Sequence, residues 1–404
     1  MTSAVQTPAI IEVSDAKAGL TGWLAVDSVV DNHYCGGLRM LPDISAPELA
    51  ELAKAMTLKH AFLGLPHGGA KAGIVYDEES RKADKAKLLI AFARSIKDLL
   101  EQRTYLPGAD MGTTGKEIRE MMQSVGIRVP ARALRGALSG WYTSLTVVAS
   151  AKTAAEHRGL DLAKAAVAIE GFGSVGSAVA EGFSRLGSRV VAISTYNGAL
   201  YAAEGLDVAR LLQCYRQYGS RLVDFYDGRR KIPREALLEL DVDILLPCAR
   251  HHSIQAGNAP SIKACLISCG ANAPITEEAE RSLWQRGILC IPDFVANSGG
   301  VLGGTMEFAG IRLRDITEFM DKSFSRQVSA LIREAGRDGI YIRDHAERIA
   351  AERWRRVKSA TENRSLRSRT FSLGLELYRN GMIPSALVGK LAVKYFQKRI
   401  EGGI

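Results

Sequence analysis

Apolar residues in the first third of the chain alternate with polar ones and then take up helical spacing. Short apolar runs within residues 11–40, broken by Gly19 and Gly22, predict two or three strands. Ser45 and Glu48 have the spacing of a capping box, and apolar residues recur behind them every three or four positions, which predicts a helix. The further predicted elements are a helix over 85–101, a strand at 104–106 and a helix that begins behind Thr114.

After Gly140, apolar runs alternate with helical patterns. The runs lie at 165–169, 189–193, 242–246, 264–268 and 288–291. Such alternation is typical of an α/β fold with a mostly parallel sheet, whose strand ends line a crevice. Further helical patterns lie at 316–331, 340–358, 371–378 and 386–397, with a polar linker at 359–369.

A glycine motif follows the first of these runs and opens a helical pattern. It reads Gly171-Phe172-Gly173-Ser174-Val175-Gly176, and another strand follows the helix. In this context Gly171 makes a tight turn, Gly173 lets a pyrophosphate reach the backbone, and Gly176 lets helix and strand pack closely. The N–H groups of Ser174 and Val175 then face the phosphates at the helix N-terminus. The motif predicts dinucleotide binding, with a purely structural glycine turn as the alternative.

The strand after this motif ends in Ser194-Thr195-Tyr196-Asn197. An NAD-binding fold usually places an acidic residue here for the ribose 2′-hydroxyl, whereas an arginine would attract the 2′-phosphate of NADP. Neither is present, so NAD and NADP both stay open as the cofactor. Thr195 is a candidate cofactor contact, and Cys248, Ala249 and Asn272, which follow later strands, are candidates for the same crevice.

A lysine among small residues is the candidate for catalysis. Lys71 lies in Leu-Pro-His-Gly-Gly-Ala-Lys-Ala-Gly-Ile at 65–74, where we expect a tightly turned segment that presents its ammonium to a carbonyl. Lys59 ends the helix before it, and Asp110 follows a strand in a glycine-rich loop. Each has an ordinary alternative: a solvated lysine on a turn, a helix-dipole contact and a turn-forming carboxylate.

Length and composition agree with a globular protein of two domains. The chain has 404 residues, a length that exceeds what a single core usually supports, and 47% of the residues are hydrophobic. No apolar run is long enough to span a bilayer, so we expect a cytoplasmic protein without a membrane partner. No Cys-x-x-Cys occurs, so we expect free thiols and no metal. The six cysteines are Cys35, Cys214, Cys248, Cys265, Cys269 and Cys290.

The positive charge is concentrated in the tail. From residue 337 onward there are 15 Lys and Arg against 7 Asp and Glu, which is eight of the nine net positive charges. Arg353, Arg355 and Arg356 could contact nucleic-acid phosphates. A solvated face or a subunit contact is the commoner use of such a tail, and we expect no nucleic-acid partner.

The ordered motifs resemble those of the glutamate, leucine, phenylalanine and valine dehydrogenase superfamily from about residue 19 to residue 331. They are Gly-Gly-Leu-Arg-Met at 36–40, Met-Thr-Leu-Lys at 56–59, Gly-Gly-Ala-Lys at 68–71, Asp-Met-Gly-Thr at 110–113, Gly-Phe-Gly-Ser-Val-Gly at 171–176, Gly-Ala-Asn at 270–272 and Pro-Asp-Phe-Val-Ala-Asn-Ser-Gly-Gly-Val at 292–301. The short N-terminus looks nearer the leucine and phenylalanine branch.

This resemblance implies a role for each matching residue. Lys59 matches the lysine that pairs with the substrate α-carboxylate, Lys71 the lysine that polarises the carbonyl or carbinolamine oxygen, and Asp110 the aspartate that shuttles protons. Asn297 matches an asparagine beside substrate and nicotinamide, and Thr143 a threonine that holds the carboxamide.

The implied reaction is oxidative deamination. Hydride leaves the amino acid Cα for the nicotinamide, water adds to the imine, and ammonia departs to give a 2-oxo acid. Like-charge repulsion from Lys59 would lower the pKa of Lys71, and a closing two-domain cleft would exclude water. The glycine pair Gly36-Gly37 allows close backbone approach and belongs to the expected substrate site.

Departures from the family bear on the substrate. Cys35 stands where glutamate dehydrogenases carry a lysine that grips the side-chain carboxylate, and Gly304 where they carry a serine. Since burying an unpaired carboxylate is costly, glutamate is an unfavourable substrate. Gly108 and Val301 are the other expected lining residues. We expect a roomy, uncharged pocket for a large apolar or aromatic L-amino acid.

The expected architecture is an N-terminal α/β substrate domain, residues 1–138 completed by 306–358, and a Rossmann-type domain at 139–305. A basic helical extension spans 359–404. The resemblance also implies a homo-oligomer. The alternative function is a catalytically weakened relative that acts as a regulatory or binding subunit.

Overall fold

The chain divides into two compact units in a computed structural model, which describes residues 8–77, 84–129, 138–226, 230–362, 378 and 382–401. The first unit comprises Met1–Leu138, Gly304–Arg312 and Ile349–Ile404, and the second comprises Ser139–Gly303 and Leu313–Arg348. Residues 313–348, which the sequence analysis assigned to the first domain, thus group with the second unit.

A five-stranded mixed sheet forms the centre of the first unit. Its strands are β1 (Ala9–Asp15), β2 (Leu20–Val26), β3 (Tyr34–Leu41), β4 (Gly68–Val75) and β5 (Tyr105–Ala109). The strand order is β1-β2-β4-β3-β5, with β3 parallel to both β4 and β5 and the other pairs antiparallel. Buried residues that include Leu38, Phe92 and Tyr105 form the hydrophobic core against this sheet.

Lys71 lies in the middle of β4, so the expectation of a tightly turned segment is wrong. The glycines serve close packing instead. A Cβ at Gly69 would lie 2.5 Å from the Ala53 carbonyl oxygen and 2.3 Å from the Thr57 nitrogen, both in the helix that covers the strand. Glycine within a strand often marks such an approach of another backbone.

The helices of this part are α1 (Ala46–Phe62), α2 (Lys85–Ser95), α3 (Lys97–Glu101) and α4 (Gly115–Ser124). The predicted helix over 85–101 is thus interrupted at Ile96. Ser45 caps α1 as expected, and Thr114 and Glu117 form the predicted capping box of α4.

A seven-stranded sheet forms the centre of the second unit. Its strands are β6 (Ala166–Glu170), β7 (Arg189–Thr195), β8 (Gly198–Tyr201), β9 (Arg230–Ile232), β10 (Ile244–Pro247), β11 (Leu266–Ser268) and β12 (Leu289–Ile291). The order is β12-β11-β10-β6-β7-β8-β9. The five strands predicted from apolar runs are all present and parallel, whereas the antiparallel β8 and β9 were not foreseen.

Helices follow throughout the rest of the described chain, and those from residue 349 onward group with the first unit. They are α5 (Ser139–Arg158), α6 (Ser174–Arg185), α7 (Val208–Tyr218), α8 (Leu222–Phe225), α9 (Glu277–Gln285), α10 (Asp293–Ala296), α11 (Gly299–Phe308), α12 (Leu313–Phe319), α13 (Ser325–Asp338), α14 (Ile342–Glu362) and α15 (Ser385–Ile400). A π-helical turn, Met320–Phe324, interrupts the predicted long helix at 316–331. Within the described ranges no helix is long and apolar enough to cross a membrane.

The tail departs from its prediction at two places. α14 runs through Glu362, so the first residues of the predicted linker are helical. The helix predicted at 371–378 lies outside the described residues except for Tyr378, whose hydroxyl donates to the Phe308 carbonyl at 2.6 Å.

Candidate active site

Three buried charged groups, Lys71, Arg39 and Glu48, meet the half-buried Asp110 in the first unit. Lys71 on β4 forms an ion pair with Oδ2 of Asp110, which directly follows β5. Arg39 on β3 donates from Nε to the same oxygen, Oδ2 of Asp110, at 3.2 Å, and from Nη1 to Oε1 of Glu48 at 2.8 Å. The exposed fraction is 3% for Lys71 and for Arg39 and 6% for Glu48. The alternative of a solvated lysine is therefore wrong.

Burial and neighbouring charges set the ionisation of the central pair. Burial raises the pKa of Asp110, but Lys71 and Arg39 outweigh it and hold the pKa well below its usual range. For Lys71, burial lowers the pKa, Asp110 raises it and Arg39 lowers it, with a net lowering. The contributing cation is Arg39, whereas the sequence analysis assigned this part to Lys59.

The loop after β5 fixes the Asp110 carboxylate. The Met111 N–H donates to its Oδ1 at 2.8 Å. The Thr113 hydroxyl accepts from the Asp110 N–H at 3.0 Å and donates to the Leu38 carbonyl at 2.7 Å. Asp110 is therefore held on both sides, by the loop backbone and by the cations.

The glycine pair on β3 provides space for the residues around it. A Cβ at Gly36 would lie 1.7 Å from the Ala70 carbonyl oxygen, and one at Gly37 would lie 2.8 Å from the Asp110 Cβ. The Tyr105 hydroxyl donates to the Gly36 carbonyl at 3.0 Å. These glycines thus allow β3 to approach both catalytic candidates, and their contact with substrate stays a prediction.

Lys59 lies in the last turn of α1, where a helix-dipole contact stays possible, and it is buried, with 5% of its surface exposed. Three histidines lie near it. His60 Nδ1 donates to the Gly68 carbonyl at 3.2 Å, and the rings of His33 and His67 are joined by a 2.9 Å hydrogen bond. Burial, Lys59 and His33 lower the pKa of His60 to about 3, so this ring is neutral.

Cys35, at the second position of β3, is half-buried, and burial raises the pKa of its thiol to about 11. The side chain is therefore neutral at physiological pH. Around Gly304 and Gly108, also in this unit, no described atom lies within 4 Å of an ideal Cβ. Val301 lies on α11, in the part that groups with the second unit.

The glycine motif of the second unit has the geometry of a phosphate-binding turn. Gly171 has a φ of +90°, and a Cβ there would lie 2.8 Å from Ala249. A Cβ at Gly176 would lie 1.8 Å from the Gly171 carbonyl oxygen, while Gly173 faces open space. Among described side chains none caps the first turn of α6, so the N–H groups from Ser174 onward suit an anion.

Further strand ends surround this turn. The Gly171 N–H donates to Ser194 Oγ at 2.9 Å, and Thr195 ends β7 beside the exposed Tyr196. Glu170 ends β6 and accepts from the Ser253 hydroxyl at 2.9 Å. Burial raises the pKa of Glu170 to about 7.

The residues expected near the nicotinamide follow the carboxyl ends of β11 and β12, at the same edge of the parallel sheet as the glycine turn. Asn297 Nδ2 donates to the Ala271 carbonyl at 2.8 Å and to Asn272 Oδ1 at 3.0 Å. Its buried Oδ1 has no hydrogen-bond partner within the described part of the chain, which suits a polar ligand group. Thr143 Oγ1 donates to the Ser139 carbonyl at 2.9 Å.

Cys248 follows β10, and a Cβ at Gly270 would lie 2.4 Å from its sulfur. Burial, followed by the negative charge of Glu170, raises the pKa of this thiol, which is therefore neutral. Together with the glycine turn and the open Asn297 oxygen, these residues fit NAD or NADP. No group of three or more metal-ligating side chains occurs in the ranges that the structure describes.

Sequence reasoning missed Arg39 and Glu48 as parts of the site, and also the three histidines and Glu170. Arg39 stood within a family motif, but its partners lie 9 and 71 positions away, so spacing could not reveal them. Glu48 was interpreted only as a helix-capping residue. The missed signal is that Glu48 is an acidic residue whose side chain faces the sheet.

Comparison with known proteins finds a separate family match for each of two parts of the chain. Residues 139–364 match the model of the glutamate/leucine/phenylalanine/valine dehydrogenase family, and residues 8–126 match the model of its N-terminal dimerisation domain. Glutamate dehydrogenase of Thermotoga maritima is 37% identical over 295 residues, which is 70% of each chain. Curated relatives include NAD-specific and NADP-specific glutamate dehydrogenases.

Solved structures show the same fold. The hetero-hexameric glutamate dehydrogenase of Thermus thermophilus, in a leucine-bound form, is 28% identical with a TM-score of 0.75, covering 89% of this chain and 90% of that one. L-tryptophan dehydrogenase of Nostoc punctiforme is 23% identical with a TM-score of 0.60, covering 87% and 97%. The nearer resemblance to the leucine branch stays a prediction. The protein belongs to the glutamate/leucine/phenylalanine/valine dehydrogenase family of NAD(P)-dependent amino acid dehydrogenases.

Proposed function

We propose that this enzyme deaminates an L-amino acid with a large apolar or aromatic side chain, to give the 2-oxo acid and ammonia, and runs the reverse amination. The observation that carries the proposal is the neutral, half-buried Cys35 at the position where the family's glutamate enzymes carry a lysine. The curated relatives are glutamate dehydrogenases, so the preference for an apolar side chain over glutamate has to be tested.

The Lys71 and Asp110 pair supplies the proton transfers. Because the pKa of Lys71 is lowered, its amine can take a proton from the water that attacks the imine. Asp110 accepts a proton from the substrate amine and returns one to the departing ammonia. Their direct contact lets a proton pass between the two groups.

Lys59 and the dinucleotide site supply binding. Lys59 pairs with the α-carboxylate of the amino acid, which orients the Cα hydrogen. A bound nicotinamide would supply the acceptor for that hydrogen as hydride. Thr143 and the open oxygen of Asn297 are the polar groups offered to the carboxamide end, and the turn at Gly171–Gly176 holds the pyrophosphate.

Side-chain selection follows from charge. A glutamate side chain buried against Cys35 would lose its hydration without a cationic partner, at a cost of several kcal/mol. An apolar side chain loses nothing of this kind and gains from burial. The room at Gly108 and Gly304 favours a large side chain over a small one.

The test is the rate of NADH or NADPH formation at 340 nm with L-glutamate, L-leucine, L-phenylalanine and L-tryptophan. We expect kcat/KM for an apolar or aromatic substrate to exceed that for glutamate at least tenfold, the equivalent of about 1.4 kcal/mol. A preference for glutamate would overturn the proposal. No turnover with any of them, while dinucleotide still binds, would favour a regulatory relative.

We also propose that the chain forms a homo-oligomer. Its N-terminal part matches a domain described as a dimerisation domain. The Thermus neighbour is described as a hetero-hexamer, so a second kind of subunit is the competing arrangement. Light scattering on the purified chain alone distinguishes them, since the homo-oligomer requires a mass of at least twice the monomer mass.

A further inference from the structure

Arg39 and Glu48 are buried charges to which the reaction scheme gives no role. Arg39 lies between two carboxylates, with Nε 3.2 Å from Asp110 Oδ2 and Nη1 2.8 Å from Glu48 Oε1. Its side chain is 4% exposed, as is that of Glu48. A buried ion pair contributes little to stability by itself, because desolvation offsets the attraction. A buried ion pair next to a catalytic candidate is therefore better explained by its effect on the position and charge of that neighbouring residue.

The position of Arg39 restricts what Asp110 can do. Arg39 and Lys71 contact the same oxygen of Asp110, Oδ2, while the Met111 N–H occupies Oδ1. The carboxylate therefore cannot rotate without losing at least one of these contacts. Glu48, in the first turn of α1, accepts from the far end of the Arg39 guanidinium. The Arg39 side chain is thus fixed by its own strand β3, by α1 and by the loop after β5.

We propose that Arg39 is a positioning residue for the reaction, which holds Asp110 ionised and directed at Lys71, and that Glu48 orients Arg39 and balances its charge. Neither residue needs to contact substrate. This inference rests on the proposed function, because it assigns Arg39 and Glu48 to the proton transfers of Lys71 and Asp110.

The two residues act on Lys71 with opposite sign. Among the described residues, the charged groups with the largest effect on Lys71 are Asp110, Arg39 and Glu48, and of these Arg39 lowers the pKa of Lys71 while Glu48 raises it. Removal of Arg39's charge should thus raise the pKa of Lys71, and removal of Glu48's charge should lower it. Tyr105, the titratable neighbour on β5, has its pKa raised by burial and stays neutral.

The experiment compares Arg39→Met, Arg39→Lys and Glu48→Gln with the parent enzyme. We expect the acid limb of the kcat profile for deamination to move by about one pH unit, upward in Arg39→Met and downward in Glu48→Gln. Arg39→Lys, which keeps the charge, should restore most of the parent profile. We expect kcat in Arg39→Met to fall about tenfold or more with a smaller change in KM.

Lys85→Met is the matched control. Lys85 pairs with Glu117 at 2.7 Å in the same unit, half-buried, and has no part in the site. Its loss should leave both limbs of the profile in place. Dinucleotide binding and thermal unfolding of each variant establish that it is folded.

A second readout does not depend on turnover. The rate at which acetic anhydride labels Lys71, followed by mass spectrometry across pH, reports the pKa of this amine directly. Opposite shifts in Arg39→Met and Glu48→Gln support the inference even if the amino acid panel fails, in which case only the proposed function is wrong. Labelling profiles that coincide with the parent, or that shift in the same direction in both variants, overturn the inference.

Discussion

Lys71 and Cys35 are two neighbouring side chains whose pKa values burial shifts away from the charged form. Lys71 is buried on β4 with its pKa lowered, and Cys35 is a neutral thiol on the adjacent β3. The first determines which proton transfers are available. In the proposed function, Cys35 determines which substrate side chains are tolerated, so that chemistry and selectivity would be set by different residues.

Introducing a cation at position 35 should change the substrate. In Cys35→Lys the new ammonium could pair with a side-chain carboxylate, so kcat/KM for glutamate should rise about tenfold or more relative to the parent. The ratio of glutamate to phenylalanine activity, measured at 340 nm, is the readout. Cys35→Ser, which is neutral and of similar size, is the control and should not gain glutamate activity; a gain in both variants would contradict the charge argument.

A methyl group at Gly37 should displace the catalytic carboxylate. The added Cβ would lie 2.8 Å from the Asp110 Cβ, well inside contact distance, so we expect kcat to fall about tenfold or more while dinucleotide affinity stays unchanged. Gly336→Ala is the control, because no described atom lies within 4 Å of a Cβ there. Equal kcat in Gly37→Ala and the parent would show that Asp110 tolerates displacement.

Single residues with a motif around them could be found from the sequence, and their partners could not. Lys71, Asp110 and the glycines stand in recognisable surroundings. Arg39 pairs with Asp110 across 71 positions through the parallel pairing of β3 with β5, a topology that hydrophobic patterning does not specify. The same reason hid the role of Glu48, whose local spacing also suits a helix cap.

At the scale of elements, the tail helix α15 is held by arginines at helix ends. Arg353 on α14 donates to the carbonyls of Phe62 and Ile400, the last residues of α1 and α15. Its guanidinium also lies 5.2 Å from the Phe62 ring centroid. Arg399 donates to the Gly64 carbonyl. Arg353 is 8% exposed, so this arginine cannot serve as a phosphate contact.

Arg353→Met should release the tail helix. Two carbonyls would lose their donor, so we expect the free energy of unfolding to fall by about 2 kcal/mol and limited proteolysis within 382–401 to become faster. Arg355→Met is the control, since Arg355 is exposed on the same helix. Equal proteolysis rates in Arg353→Met and the parent would mean that α15 is held by other contacts.

The sequence pattern predicted helices and strands best where at least one face of the element is apolar. The five parallel strands of the second unit were located to within about two residues, because a strand buried on both faces reads as a continuous apolar run. Strands β8 and β9 are short and partly exposed, and they extend the sheet by hairpin pairing after β7. Their sequences lack such a run, so the pattern missed them.

At the scale of the whole molecule, two sheets divide the chemistry. The first unit holds the ionisable pair and Lys59, and the second holds the glycine turn, Thr143 and Asn297. In sequence, the basic surplus follows both sets, in the tail. Composition indicated two cores, but it could not show that residues 313–348 return to the second unit, since helical periodicity does not name the surface on which a helix packs.

The stability of the folded chain should depend on Glu170 in a defined pH window. Burial raises the pKa of this carboxyl from 4.5 to about 7, so its stabilising protonated form is fully present below pH 4.5 and lost as pH rises through 7. Glu170→Gln should therefore be more stable than the parent at pH 8 by roughly 3 kcal/mol, and by less than about 1 kcal/mol at pH 5.

Thermal and urea unfolding of the ligand-free protein at both pH values measure this difference. Glu235→Gln is the control, because that carboxylate is exposed on the same unit and should show no such gain. A gain of equal size at pH 5 and pH 8 would show that Glu170 does not titrate in this range.

Lys71→Ala bears on the reaction assigned to the whole enzyme. The readout is NADH or NADPH formation at 340 nm with the best amino acid found for the parent, together with dinucleotide affinity from fluorescence. We expect kcat to fall about a hundredfold or more, because the base for the attacking water is lost, while dinucleotide affinity changes less than about twofold. Turnover by Lys71→Ala at the parent rate would contradict the account, since the buried amine would then have no part in the chemistry.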